Sequence, residues 1–389
     1  MSRLYIKGIG MMVGMIFGAG IFALPYVFSK AGLFWGVVHL VISFLLLLFL
    51  HLLYAEISYF TKGRHRFTGY VEIFLGKTAK QFAFITTVLS YYGSILVYGL
   101  LSGILFSNFF GGSYRFEISL LFFIVTGFFI FLKMTKIAEI NFYLTVPIFC
   151  FIIYLIIVAL PSVKIDNFLY NLNFDFKSDW FLPYGVWLFA LCGFAAVPEV
   201  RDIFFESKLK YFKRTIIMSL VLSAIFYSLF VFAVWGASND KTTQDALTGI
   251  LYVLGQKAFI IGSLIGFLAV FTSCISMAID MRNIFRFDYK LPRTLSIFLT
   301  MVPPVILFLL GTNDFVRILD IIGALGLGSL GVFIILMTRK LRERLKNKDT
   351  ELISLPEDGE YMKPRLISQA LVLVGILVGV IIELWRIFS

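Results

Sequence analysis

Eleven apolar runs, separated by charged residues or by Gly, Pro and Asn punctuation, constrain this chain more than any other feature. They cover about 7–30, 33–60, 81–110, 117–134, 137–161, 181–205, 213–237, 256–281, 292–311, 315–338 and 366–388. A helix needs about 20 mostly apolar residues to cross a bilayer, so the runs are of spanning length. Hydrocarbon offers backbone amides no water, which forces such runs into helices rather than open strands. Composition agrees: 60% of the 389 residues are hydrophobic, 45 are Phe and only 15% are charged. No aqueous surface could cover that surplus, which excludes a soluble enzyme, a secreted disulfide scaffold and a disordered chain. The expected fold class is an all-α membrane protein with 11 transmembrane helices, placed in the cytoplasmic membrane.

The net charge of +11 reports orientation. With the N-terminus inside, 26 of the 34 Lys and Arg residues fall on cytoplasmic segments and 8 on the other side. That asymmetry predicts N-terminus in and C-terminus out, and it calls for no nucleic-acid partner. Arg3 and Lys7 before an apolar run resemble a signal peptide, but no A-x-A site ends the run and Pro25 falls late in it. Cys150, Cys192 and Cys274 lie in apolar segments with no disulfide or metal spacing.

Two runs carry residues that a continuous helix avoids. The first contains Gly18–Ala19–Gly20–Ile21–Phe22–Ala23–Leu24–Pro25, and the sixth contains Cys192–Gly193–Phe194–Ala195–Ala196–Val197–Pro198. In a helix interior Gly costs about 1 kcal/mol and Pro about 3. The breaks are five spans apart, and an odd number of helices per repeat inverts the second copy across the bilayer. Transporters built from inverted repeats have this layout. Half-helix N-termini at about Ile21 and Val197 would offer N–H groups to a carboxylate, and C-termini near Phe17 and Leu191 would offer carbonyls to an ammonium. The plainer reading is tight helix packing, which Gly14–Met15–Ile16–Phe17–Gly18 fits by itself. Recurrence of the break at five-span separation favours the functional one.

On these residues the chain resembles the amino acid/polyamine/organocation superfamily, nearest its amino-acid permease branch (amino acid/auxin and aromatic amino-acid permeases). Thr272–Ser273 and Pro303–Pro304 add weaker support. The resemblance implies a LeuT-like 5+5 inverted repeat with one extra helix, moving amino acids by alternating access with H+ or Na+. The division would be a first repeat over 1–161, an external loop at 162–180, a second repeat over 181–338, a cytoplasmic connector at 339–364 and a last helix over 365–389. Substrate would meet Gly18, Ala19, Gly20, Ile21, Tyr91, Phe189, Cys192, Gly193, Phe194 and Ala195. Tyr92 and Ser94 are further candidates for its wall. The implied partners are a small-molecule amino acid, the coupling ion and the lipid bilayer. No cofactor is implied beyond a bound Na+ at Thr272 and Ser273, with the Phe17 carbonyl beside it.

That ion assignment stays open, because a Thr or Ser hydroxyl in a helix also bonds its own carbonyl at i−4. Glu199 reads either as a gate or proton-coupling carboxylate or as an acid complementing a helix N-terminus. Asp320 reads as an outer-gate residue or as the helical partner of Arg317. Glu56, Asp202, Asp280 and Arg282 fall near cytoplasmic ends, where ion pairs are expected. His39 and His51 share one span about 18 Å apart and read as packed histidines; His65 lies in a loop. No unpaired acid or base falls at pocket depth, which favours a neutral or aromatic amino acid. A membrane-embedded enzyme or a channel is the alternative. Neither H-E-x-x-H nor G-x-S-x-G occurs, and the interior lacks a charge ring.

Overall fold

The computed structural model describes residues 2–131, 134–169, 179–204, 207–312, 314–347, 351, 353 and 366–388, and those residues are helical almost throughout. In chain order the helices are α1 (Ser2–Ile16), α2 (Gly20–Phe60), α3 (Phe67–Ser107), α4 (Arg115–Phe129), α5 (Met134–Ala159), α6 (Asp166–Leu169) and α7 (Leu182–Ala190). They continue as α8 (Val197–Ile203), α9 (Leu209–Ser238), α10 (Leu247–Asn283), α11 (Arg293–Leu309), α12 (Phe315–Ile321), α13 (Gly328–Lys346) and α14 (Leu366–Phe388). A π-helical turn over Ile322–Leu327 joins α12 to α13. Residues 170–178 of the 162–180 loop and most of the 339–364 connector, including Pro356–Glu357–Asp358–Gly359, lie outside the described residues.

Among the described residues, seven helical stretches are long and apolar enough to cross a membrane. Three shorter apolar helices, Leu4–Ile16, Val146–Ser162 and Arg293–Leu309, accompany them. Apolar surface is turned outward: Val41 and Leu45 of α2, Phe82 and Leu89 of α3, and Ile124 and Phe128 of α4 are exposed, as lipid-facing residues are.

α2, α3 and α10 are each far longer than one bilayer crossing and each turns at a glycine. α2 turns at Gly32. In α3 a first segment over 67–75 meets the remainder at Gly76 (φ 87°), and in α10 a first segment over 247–254 meets the remainder at Gly255 (φ 78°). Side chains other than glycine's are strained at such angles, so these joints need Gly. The two glycines occupy matching places, each ending a short helix that leads into a long one.

Inside the bundle α2 packs against α7 and α9, and α10 packs against α3 and α5. α1 lies against α5, α9 and α8. The half-helices on either side of the two breaks therefore form the centre, with the longer helices around them.

Candidate functional site

Helix geometry is lost at Phe17–Ala19, between α1 and α2, and again at Leu191–Gly193. After the second gap a 3-10 turn over Phe194–Ala196 leads into α8. The two breaks lie side by side. A side chain at Gly193 would stand 3.0 Å from Ile16 and 3.1 Å from Met12. One at Gly20 would stand 2.6 Å from the Cα of Ala190.

Between the breaks is a cavity of about 40 Å³ whose wall includes Gly18, Tyr91, Tyr98, Phe189, Cys192 and Phe194. Ser94 and Ala195 also line it, and no charged side chain does among the described residues. Tyr98 was not singled out from sequence. Its hydroxyl comes within 3.1 Å of where a Gly18 Cβ would stand, so the bare backbone of the first break faces a phenol. Its ring sits 6.4 Å from that of Phe189.

The remaining expected substrate residues are placed differently. Ala19 is fully buried and Ile21 lines a separate apolar hollow with Phe17 and Phe22. Gly20 faces Ala190 rather than the cavity, so its missing side chain serves the close approach of α2 to α7. Tyr92 points away and donates to the Leu299 carbonyl at 2.7 Å.

Side chains take up several backbone poles freed by the breaks. Tyr227 Oη donates to the Ile16 carbonyl at 2.7 Å, and Ser273 Oγ donates to the Phe17 carbonyl at 2.9 Å. Thr272 Oγ1 bonds back within its own helix, to Leu268 and Ala269 carbonyls at 3.1 Å each. The Thr272–Ser273 pair thus does not present two free hydroxyls to a cation: one is committed locally and the other bonds the carbonyl directly. At the second break the Gly193 N–H donates to His51 Nε2 at 3.1 Å. His51 is therefore more than a packed histidine. Tyr227 and His51 carried no local sequence signal, because each acts on backbone far away in the chain.

On the α8 side of the cavity lies an ion network. Arg66, in the segment leading into α3, pairs with Glu199 and stands 3.2 Å from Asp280. Glu199 is therefore held by a cation and is not simply an acid at a helix start. Tyr91 links cavity and network, its hydroxyl donating to Asp280 at 2.8 Å. Burial opposes charge on the Arg66 guanidinium, but the Asp280 and Glu199 carboxylates outweigh it and hold its pKa above the usual arginine value. Arg201 donates to the Thr61 and Gly63 carbonyls at 2.9 and 3.1 Å, and Arg64 pairs with Asp202 at 3.2 Å. Glu56 pairs with Lys213 at 2.5 Å. Arg282 instead donates to the Ile130 carbonyl at the end of α4.

On the other side of the break, where α7 begins, an open basin of about 520 Å³ is lined by Tyr26, Trp180, Arg317 and Asp320 among others. Asp320 is not the partner of Arg317. It accepts from Arg386 of α14 at 2.9 Å, and Arg386 also binds Glu383 at 2.8 Å. The backbone N–H of Arg317 donates to Asp314 at 3.1 Å and caps α12.

The model of the tryptophan/tyrosine permease family matches residues 1–356. Among solved structures, MhsT in complex with L-phenylalanine is similar with a TM-score of 0.70 at 16% identity, covering 98% of this chain and 98% of its own. Mhp1, a nucleobase-cation-symport-1 family transporter in a closed conformation with bromovinylhydantoin bound, gives 0.68 at 14% identity over 98% and 91%. A mutant manganese transporter from Eremococcus coleocola gives 0.60 at 13% identity over 99% and 94%. At these identities the likeness is one of fold, the LeuT-like fold expected above. No curated protein matches.

Proposed function

The chain belongs to the tryptophan/tyrosine permease family, and from that premise we propose that it carries tryptophan or tyrosine across the cytoplasmic membrane in exchange for the free energy of a proton gradient. It is a secondary transporter of amino acids and a multi-pass integral membrane protein, not an enzyme.

One observation carries the choice of substrate: the cavity at the paired breaks is walled by the rings of Phe189 and Phe194 and the phenols of Tyr91 and Tyr98, together with aliphatic side chains such as Met277 and Leu330. Backbone forms one face and, among the described residues, no charged side chain lines it. Backbone amides near Gly18 and the Tyr98 hydroxyl suit a carboxylate, while Phe189 and Phe194 suit a flat apolar side chain. A cavity of about 40 Å³ holds only a few water-sized groups. Loading an aromatic amino acid thus requires the half-helices to part, which is the motion alternating access needs.

Proton rather than sodium coupling is favoured by two arrangements. The hydroxyls that would ligate a hard cation are engaged with carbonyls, Ser273 with Phe17 and Thr272 within its helix. Asp280, by contrast, is a buried carboxylate reached from the cavity through Tyr91. Glu199 serves as a gate residue through its Arg66 pair, and Asp320 as its counterpart on the opposite side through its Arg386 pair.

The topology that fits has 11 membrane crossings, N-terminus in and C-terminus out, with 1–161 and 181–338 as inverted repeats. The matched joints at Gly76 and Gly255 support that division. Proteoliposomes loaded at neutral pH and diluted into acidic buffer should accumulate labelled L-tryptophan or L-tyrosine, without a sodium requirement. Uptake driven equally well by a sodium gradient at constant pH would remove proton coupling. Absence of uptake of both amino acids would remove the substrate.

A further inference from the structure

His51 lies within α2 and is completely buried. Both of its ring nitrogens are engaged: Nδ1 stands 2.7 Å from the Leu47 carbonyl, and Nε2 stands 3.1 Å from the Gly193 backbone nitrogen. A carbonyl only accepts and an amide N–H only donates, so the two contacts leave one tautomer. Nδ1 carries the proton and Nε2 is the bare acceptor. An imidazolium could not accept from Gly193.

The same ring stacks on Phe194, with centroids 3.9 Å apart and planes 9° from parallel. Tyr54, one turn along α2, meets Phe194 edge-on at 6.0 Å. Phe194 is a wall of the cavity and follows Gly193 directly in the second break. One imidazole thereby fixes a free backbone donor of the break and the plane of an aromatic ring that faces the substrate space. Among the described residues no charged side chain acts on the ring.

We propose that His51 is the positioning residue of the substrate site, acting as a neutral acceptor that holds Gly193 and Phe194 in the geometry that receives an aromatic side chain. It does not touch substrate and does not carry the coupled proton. The inference rests on the aromatic-substrate reading above and adds what sets the shape of that wall. Gly193 would otherwise have a buried N–H without a partner, and Phe194 would lose the flat surface that orients it.

Glutamine and phenylalanine separate the two contributions. The Gln side-chain oxygen lies the same number of bonds from Cβ as Nε2, so His51→Gln keeps the acceptor and loses the stack. His51→Phe keeps a flat ring and loses the acceptor. Equilibrium binding of L-tryptophan to the purified full chain in detergent is the readout, beside the thermal midpoint without ligand. Loss of one hydrogen bond that shapes the site corresponds to about a tenfold weaker Kd. The expected result is at least that loss in His51→Phe, with His51→Gln within about threefold of the parent. Parent-like binding by His51→Phe, or an equal loss in both variants, would overturn the role of the acceptor.

Should His51→Phe not fold, 15N-histidine NMR of the parent decides the matter. The Nδ1–H tautomer is expected at neutral pH, and an Nε2–H tautomer or an imidazolium would overturn the inference. A parent protein that binds neither tryptophan nor tyrosine would instead refute the substrate assignment, while the NMR result would still test the Gly193 contact.

Discussion

Ser273 Oγ of α10 donates to the Phe17 carbonyl at 2.9 Å, and so joins a helix from the second half of the chain to the open end of α1. Both groups are buried. Ser273→Ala would leave the carbonyl without this donor in a site that water reaches poorly, at a cost of about 1–3 kcal/mol. A thermal midpoint several degrees below that of the parent is expected, together with slower uptake. If sodium bound here, Ser273→Ala would also change the sodium dependence of uptake. The direct hydrogen bond predicts no such change, and transport assays in sodium and potassium buffers distinguish the two.

Gly20 faces Ala190, and that contact changes what a substitution there would do. A Cβ at Gly20 would stand 2.6 Å from the Cα of Ala190 and 2.7 Å from its Cβ. The nearest atom is backbone, so no rotamer change relieves the clash, and overpacking of this kind costs about 1–3 kcal/mol even for one methyl. Gly20→Ala is expected to lower the thermal midpoint whether or not substrate is present. A variant of parent stability that simply no longer bound substrate would place Gly20 in the cavity wall instead.

The two breaks were legible because Gly and Pro are costly inside helices, and a chain that carries both in two corresponding spans declares where its helices stop. Most outer limits were legible as well: the runs at 213–237 and 366–388 lie within or match α9 (Leu209–Ser238) and α14 (Leu366–Phe388). The turns at Gly32 and Gly255 were legible too, since the runs 7–30 and 33–60 part at 31–32 and the run 256–281 begins directly after Gly255. The turn at Gly76 was not, because it falls ahead of the run at 81–110, in a stretch whose charged residues hide the short helix before it. Side-chain partners were the least legible. Asp320 has Arg317 one turn away, and i,i+3 spacing makes that pair the natural reading, yet Arg386 of the last helix is its partner. His51 and Gly193 are 142 positions apart, and no periodicity in the chain connects them.

Arg66 holds two carboxylates, Glu199 of α8 and Asp280 of α10, and lies beyond Tyr91 on that side of the cavity. Arg66→Ala would leave both acids buried without their cation, which costs about 3–5 kcal/mol in the closed arrangement. Parting of α8 from α10 relieves that penalty, so the open arrangement gains in population. Lysine is a poor replacement, because a single ammonium lacks the planar fork that reaches both acids. Membrane-impermeant thiol reagents applied from the side of Arg66 should therefore label Cys192 at least tenfold faster in Arg66→Ala and in Arg66→Lys than in the parent. Labelling at the parent rate would show that the triad does not hold the cavity shut.

Asp280 is the carboxylate through which Tyr91 connects the cavity to that triad, at 2.8 Å from the tyrosine hydroxyl. Arg66, Glu199, Tyr54 and Asp288 are the other titratable groups that act on it. Asp280→Asn keeps the size and the acceptor for Tyr91 while removing the titratable proton. If this carboxylate carries the coupled proton, uphill uptake driven by a pH gradient should fall at least tenfold. Exchange of internal for external tryptophan at equal pH should persist, because that half of the cycle needs no net proton movement. Loss of both activities together would assign Asp280 to the fold of the gate rather than to coupling, and retention of both would move the proton site elsewhere. The Tyr91→Phe variant provides a second check: it cuts the link from cavity to carboxylate but leaves the acid in place, so accumulation is expected to weaken while substrate affinity stays within about threefold of the parent.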